Sequence, residues 1–228
     1  MQIEILGDGA FESALVHLQP GERFISESGA LYRASGNVQI DVTTSARGSG
    51  GILGGVKRLL ARENFFFSTY TTGDGRPGEV GLAPTHQGEL MLIDVEPGTH
   101  WLCAGGSYLG STSGLNVNTQ FQGMKGFVTG ESLVFLDVSG SGQLLVNAFG
   151  RLVESDVDQS ITVDTGHLVA FESTLQYEIT KAGKSWIQSW LAGEGVVMKF
   201  TGQGRIITQS HNPRGFGATL GRLLPPRK

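Results

Sequence analysis

Two short blocks of strand, glycine turn and strand recur three times along this chain, in the same order. The first reads VHLQPGERFISESGALY from Val16, LIDVEPGTHWLCAGGSYL from Leu92 and ITVDTGHLVAFESTLQY from Ile161. The second reads RENFFFSTYTTGDGRPGEVGL from Arg62, GESLVFLDVSGSGQLLVNAFG from Gly130 and GEGVVMKFTGQGRIITQS from Gly193. Gly21, Gly98 and Gly166 mark the turns of the first block, and Gly73 with Gly75, Gly140 with Gly142 and Gly202 with Gly204 those of the second. A unit of roughly 65 residues built from short strands closes its core poorly alone, so the three copies are expected to pack together. The 35 glycines among 228 residues fit that reading, since tight turns between short strands need residues that accept positive φ.

The expected fold is all-β: three repeated β-sandwich or double-stranded β-helix units in one compact body, with one or two short helices. The units are assigned to residues 1–84, 85–155 and 156–213, followed by an apolar and basic tail over 214–228. GGVKRLLARE (Gly54 to Glu63) and KSWIQSWLAGE (Lys184 to Glu194) each carry one or two turns of helical pattern. FQGMKGFVTGE holds the same place in the second unit but is too rich in glycine for a helix.

Gly73-Asp74-Gly75-Arg76-Pro77-Gly78 matches the dinucleotide fingerprint G-x-G-x-x-G. That fingerprint works only between a strand and a helix, where the pyrophosphate meets the helix N-terminus. Here the turn leads from one apolar strand to another, and the sister turns GSGQ and GQGR lack the third glycine. The segment is therefore read as a β-hairpin. AGKSW (Ala182 to Trp186) likewise resembles half of a phosphate loop, but Glu178 stands where the cradle needs glycine.

Catalytic arrangements are equally thin. The histidines His17, His86, His100, His167 and His211 show no metal-ligand spacing, and His100 and His167 fall on opposite strand faces when counted from their turn glycines. Cys103, the single cysteine, sits in the apolar run WLCA and reads as a small core residue. Glu63, Glu131 and Glu194 recur at one place in the repeat, and a structural role in capping backbone donors is favoured over a shared cation site. Glu154, Asp156 and Asp158 read as a solvated strand edge or turn. No catalytic residue, metal or cofactor is expected.

Interaction signals are stronger. The stretch ARGSGGILGGVKRLLAR presents Ile52, Leu53, Leu59 and Leu60 among basic residues, and the tail presents Leu223 and Leu224. Both could lie on a membrane or a protein partner, or pack on the chain's own core or an oligomer interface. The net charge of −4 gives no electrostatic case for nucleic acid. The N-terminal MQIEILGDGA lacks a basic segment followed by an apolar run, so a cytoplasmic, soluble chain is expected, with peripheral membrane association as an added role.

Nearly the whole chain, through GGILGGVKRLLARENFFFSTYTTGDGRPGEVGLAP, FQGMKGFVTGESLVFLDVSGSG and WLAGEGVVMKFTGQGRIITQS, resembles bacterial members of the family named for altered inheritance of mitochondria. The resemblance implies a fold similar to the tryptophan RNA-binding attenuation protein, with three such β units in one chain. It implies no catalytic residues, because bacterial members carry no established activity. The function expected is a non-enzymatic, self-associating scaffold or binding protein, with a trimer extending the internal threefold theme. The alternatives are a small-molecule-binding or enzymatic barrel with a pocket between repeats, and an RNA-binding module by analogy of fold.

Overall fold

The computed structural model describes residues 1–43, 66–122, 133–181 and 196–225. After β1 (Gln2–Leu6), three sets of six strands follow. The first holds β2 (Ser13–Leu18), β3 (Phe24–Glu27), β4 (Leu31–Ala34), β5 (Val38–Thr43), β6 (Phe67–Thr72) and β7 (Gly78–Leu82). The second holds β8 (Leu90–Val95), β9 (His100–Ala104), β10 (Tyr108–Thr112), β11 (Leu115–Gln122), β12 (Leu133–Gly140) and β13 (Gly142–Asn147). The third holds β14 (Leu152–Val157), β15 (Ser160–Asp164), a 3-10 turn at Thr165–His167, β16 (Leu168–Glu172), β17 (Gln176–Lys181), β18 (Val196–Thr201) and β19 (Gly204–Gln209). Helix α1 (Pro213–Leu223) ends the described chain. The all-β class is as expected. β14 spans the boundary assigned between residues 155 and 156.

The strands form four sheets, ordered β1-β2-β7-β4, β5-β6-β3-β10-β13-β8, β11-β12-β9-β16-β19-β14 and β15-β18-β17. The third order is the second with every strand number raised by six. Each of these two sheets joins three strands of one set to three of the next through a single antiparallel seam. The seams are β3 with β10 (Ile25 opposite Ser111) and β9 with β16 (Leu102 opposite Phe171). A register shift recurs at one place in all three sets: Leu31/Arg33 against β7, Tyr108/Gly110 against β13, and Leu168/Ala170 against β19.

Three apolar cores lie between the four layers. Ala14, Val16, Leu18 and Val80 of the first sheet meet Phe24, Tyr70 and Leu145 of the second. Leu144 and Val146 of the second meet Trp101, Val138 and Ile207 of the third. Phe135, Phe171 and Ile206 of the third meet Met198 and Phe200 of the fourth. Successive side chains on a strand point to opposite faces. Leu144, Leu145 and Val146, all fully buried, therefore serve two cores from one strand. That is why the centre of β13 reads Leu-Leu-Val with no polar residue between.

One expectation is overturned. The Gly73–Gly78 turn, with its sisters at Gly140–Gly142 and Gly202–Gly204, is not a hairpin. β6 and β7 lie in different sheets, as do β12 and β13, and β18 and β19. These turns are corners that carry the chain from one layer to its neighbour. The antiparallel partners are instead β5 with β6, β11 with β12 and β17 with β18, pairs whose long connections fall outside the described residues. Apolar strands flanking a tight turn satisfy their burial equally well by pairing or by facing each other across a core.

The third copy of the first block is also displaced by one strand. Gly21 and Gly98, at φ 85° and 90°, turn β2 into β3 and β8 into β9. The corresponding corner between β14 and β15 carries Asp158 and Gln159. Gly166 lies one corner later, in the 3-10 turn, capped by Asp164, whose Oδ1 accepts from the Gly166 N–H at 2.8 Å. Its φ is not positive, and glycine there leaves room for the Asn212 amide, which a Cβ would displace.

Candidate functional site

The corners β3/β4, β9/β10 and β15/β16 bound a cleft of about 470 Å³. Its walls include Ala104, Val134, Phe135, Phe149 and Leu168, with Glu27, His86, Ser107, Asn147, Gln209 and Arg214 supplying polar groups. A smaller hollow of about 210 Å³ shares Glu27, His86, Gly106 and Asn147 with it.

Two buried amides build the floor. Asn147 follows β13 and donates through Nδ2 to the Gly106 carbonyl at 3.1 Å. Gln209 ends β19, donates through Nε2 to the Gly166 carbonyl at 2.9 Å, and accepts from the Phe149 N–H at 2.8 Å. Each amide therefore holds the corner of its own set of strands. Phe149 packs at 5.3 Å from His86, 5.3 Å from His211 and 5.1 Å from Phe216 between ring centres, which ties the start of α1 to the cleft. Asn212 caps α1 by accepting from the N–H groups of Arg214 and Gly215, and Pro213 occupies its first turn.

Glu27 is the unusual group. It ends β3, and burial raises its carboxyl above the ordinary value. Among the described residues no hydrogen bond or ion pair meets that carboxylate. Its counterparts before the next two corners are Ala104, which is apolar, and Asp164, which caps Gly166.

Elsewhere the titratable groups serve structure. Arg205 donates to Glu172 through Nε at 2.8 Å, pairs with it through Nη2 at 2.7 Å, reaches Glu154 at 3.3 Å and lies 5.0 Å over the Trp101 ring. Glu154 thus has a partner on its exposed strand. His17 sits between Glu4 at 3.5 Å and Glu79 at 3.4 Å, and His100 lies 3.2 Å from Asp137. His167 Nδ1 contacts the Gln209 carbonyl at 2.8 Å. Cys103 is fully buried, and desolvation first, then the Asp137 charge, push its thiol up to about 12. No nucleophile can be drawn from it at neutral pH. Among the described residues no three His, Cys, Asp or Glu side chains are placed to hold a metal.

Of the residues singled out from sequence, Leu223 and Leu224 are strongly exposed at the end of α1, and with Phe216 and Leu220 they form an apolar ridge. The turn glycines sit at the corners described above. Glu63, Glu131, Glu194, Ile52, Leu53, Leu59 and Leu60, the helical patterns around them and the AGKSW motif lie outside the described residues. Sequence reasoning missed Glu27. The available signal was an acid where its counterparts are Ala104 and Asp164, which becomes visible only once the units are aligned through the corners.

Four stacked sheets around three apolar cores, as the described residues show them, define an all-β protein of the layered sandwich class. The chain belongs to the mitochondrial biogenesis AIM24 family, whose sequence profile matches residues 3–211. An uncharacterized protein of Streptococcus pyogenes serotype M6 is 28% identical over 215 residues, covering 92% of this chain and 86% of the relative. The crystal structure of a Streptococcus pyogenes protein superposes with a TM-score of 0.81 at 26% identity, covering 98% of this chain and 99% of that one. The family carries no established activity with which to assign a reaction. Among the described residues no helix is long and apolar enough to cross a membrane.

Proposed function

We propose that this chain is a non-enzymatic, self-associating scaffold or binding protein whose copies join head to tail through sheet edges. One observation carries the reading. Inside the chain, β3 pairs with β10 and β9 with β16, yet their counterparts β15 and β4 each pair on one side only among the described residues. Ser111 and Phe171 are fully buried at the internal seams and Ile25 and Leu102 are 3% and 8% exposed, whereas Ala34 and Thr162 at the corresponding edge positions are exposed. β4 and β15 belong to the outermost layers, separated by three cores, so a second copy is the natural source of the missing strand.

The internal register then specifies the external one. Thr162 of one copy comes opposite Ala34 of the next, and Val163 opposite Arg33, in antiparallel pairing. Positions flanking the seam suit partial burial: Tyr32, Thr162 and Val197 stand where the internal seams carry Leu109, Ile25 and Phe67. Such a contact uses two different surfaces and therefore closes into a ring or grows into a filament. A ring of three is the closed form to test first. Native mass spectrometry is the test: the wild type is expected as a defined oligomer, and the double variant Ala34→Lys/Thr162→Lys as a folded monomer. A monomeric wild type at micromolar concentration contradicts the reading.

The apolar ridge of α1 supports a second role. Phe216, Leu220, Leu223 and Leu224 are 41–78% exposed beside Arg214 and Arg222, the pattern of a helix that lies on an anionic membrane surface. Flotation with phosphatidylglycerol-containing vesicles is expected to carry the protein up. Leu223→Glu/Leu224→Glu is expected to leave it in the soluble fraction, and equal flotation of both removes this role.

A further inference from the structure

We propose that the cleft beside Glu27 binds an organic cation, an ammonium or guanidinium group carried on an apolar body, with Glu27 as its anionic anchor. The inference is independent of self-association and rests on the inner layers of the stack. Three observations converge on it.

The first is a missing partner. Glu27 is partly exposed, and a carboxylate partly withdrawn from water is stabilised by hydrogen-bond donors or an opposite charge, so having neither carries a cost. Asp164, at the matching corner, meets this need by accepting from Gly166 N–H at 2.8 Å. Ala104 avoids it by having no polar group. Glu27 does neither among the described residues, and burial raises its carboxyl above the ordinary range. A charge held in that state favours a cationic ligand, whose arrival supplies the absent partner.

The second is the shape of the space. Glu27 lines both the 470 Å³ cleft and the adjoining 210 Å³ hollow, a combined size suited to a small organic molecule. The third is the composition of the walls. Ala104, Val134, Phe135, Phe149 and Leu168 give an apolar lining, and the His86 ring, 5.3 Å from Phe149 and tilted 44° to it, adds a second aromatic surface. Asn147 spends its Nδ2 on Gly106, which leaves its amide oxygen as a second acceptor for an N–H group. A protonated amine or guanidinium on an aromatic or aliphatic body satisfies all three, and guanidinium also stacks on aromatic faces. Arg214 on the wall is already engaged in an interaction, so it does not stand as a free counter-charge for an anion.

The test uses 2-phenylethylamine and phenylguanidine as probes and phenylacetate as the charge-reversed control, with the full chain at pH 7. Saturable binding of either cation is expected by isothermal calorimetry, with a matching rise in melting temperature, and none with phenylacetate. Glu27→Gln is expected to weaken cation binding at least tenfold, while Glu27→Asp retains part of it. Far-UV circular dichroism of Glu27→Gln reports its fold, and this variant removes a partly buried charge without changing side-chain shape, so unfolding does not stand in for lost binding. Absence of saturable binding of both cations to the wild type up to about 10 mM, a range that reaches well above millimolar dissociation constants, or equal binding by wild type and Glu27→Gln, overturns the proposal.

Discussion

Glu27 shows how much a single position can depart from its counterparts. Because its carboxyl is raised in the folded protein, protonation favours the fold: the stability it allows is fully present below the unfolded value of 4.5 and is lost as pH rises through the raised folded value. Glu27→Gln removes that loss. The variant is expected to melt higher than wild type at pH 7, with the gap closing as pH falls towards 4, read by thermal denaturation across that range. Gln209 behaves oppositely. Its side chain is the hydrogen-bond partner of both Phe149 N–H and the Gly166 carbonyl, so Gln209→Ala strands one buried and one half-buried group and is expected to cost about 1 to 3 kcal/mol in urea denaturation. The Arg205 bridge is half exposed, and Glu172→Gln is expected to cost only about 1 kcal/mol. At this scale the sequence disclosed what depends on residue type alone, such as Cys103 in an apolar run. Glu27 stayed hidden because its neighbours in space come from the Phe149 and Asn147 segments, far away along the chain.

Strands and turns were legible as elements, but their partners were not. Every glycine corner of the second block joins apolar strands, which is also what a hairpin does. What separates the two cases is whether the strands share a ladder or a core, and both bury the same side chains. Sequence separation misled as well: the paired strands β11 and β12 are interrupted by the stretch from residue 123 to 132, while β12 and β13, separated only by Ser141, never pair. The corner glycines carry an expectation of their own. At Gly98 the backbone has φ 90°, which an L side chain adopts only under strain. Gly98→Ala is therefore expected to lower stability by about 1 kcal/mol, although nothing lies within 4 Å of the added methyl. An unchanged urea midpoint counts against the assigned corner conformation.

As a whole, the described residues form a stack of four sheets around three cores, and β4 and β15, the two edge strands whose counterparts pair at the internal seams, lie in the outermost layers. The threefold recurrence of blocks pointed to units packing together, and burial of consecutive residues such as Leu144, Leu145 and Val146 explains how one sheet can serve two cores. The sharing of sheets between successive units was not legible, since no local pattern announces a seam. Those seams are the reason for expecting a partner copy. Cys103 is buried, so engineered surface cysteines report contacts between copies without interference. The decisive measurement is disulfide trapping between Ala34→Cys and Thr162→Cys, made as separate chains of different mass and mixed before mild oxidation. Head-to-tail pairing brings these positions opposite each other, within reach of a disulfide. The expected product is the mixed dimer, with neither variant cross-linking alone. Homodimers of either variant alone, or no cross-link at all in a mixture that remains oligomeric, would contradict the assembly set out here.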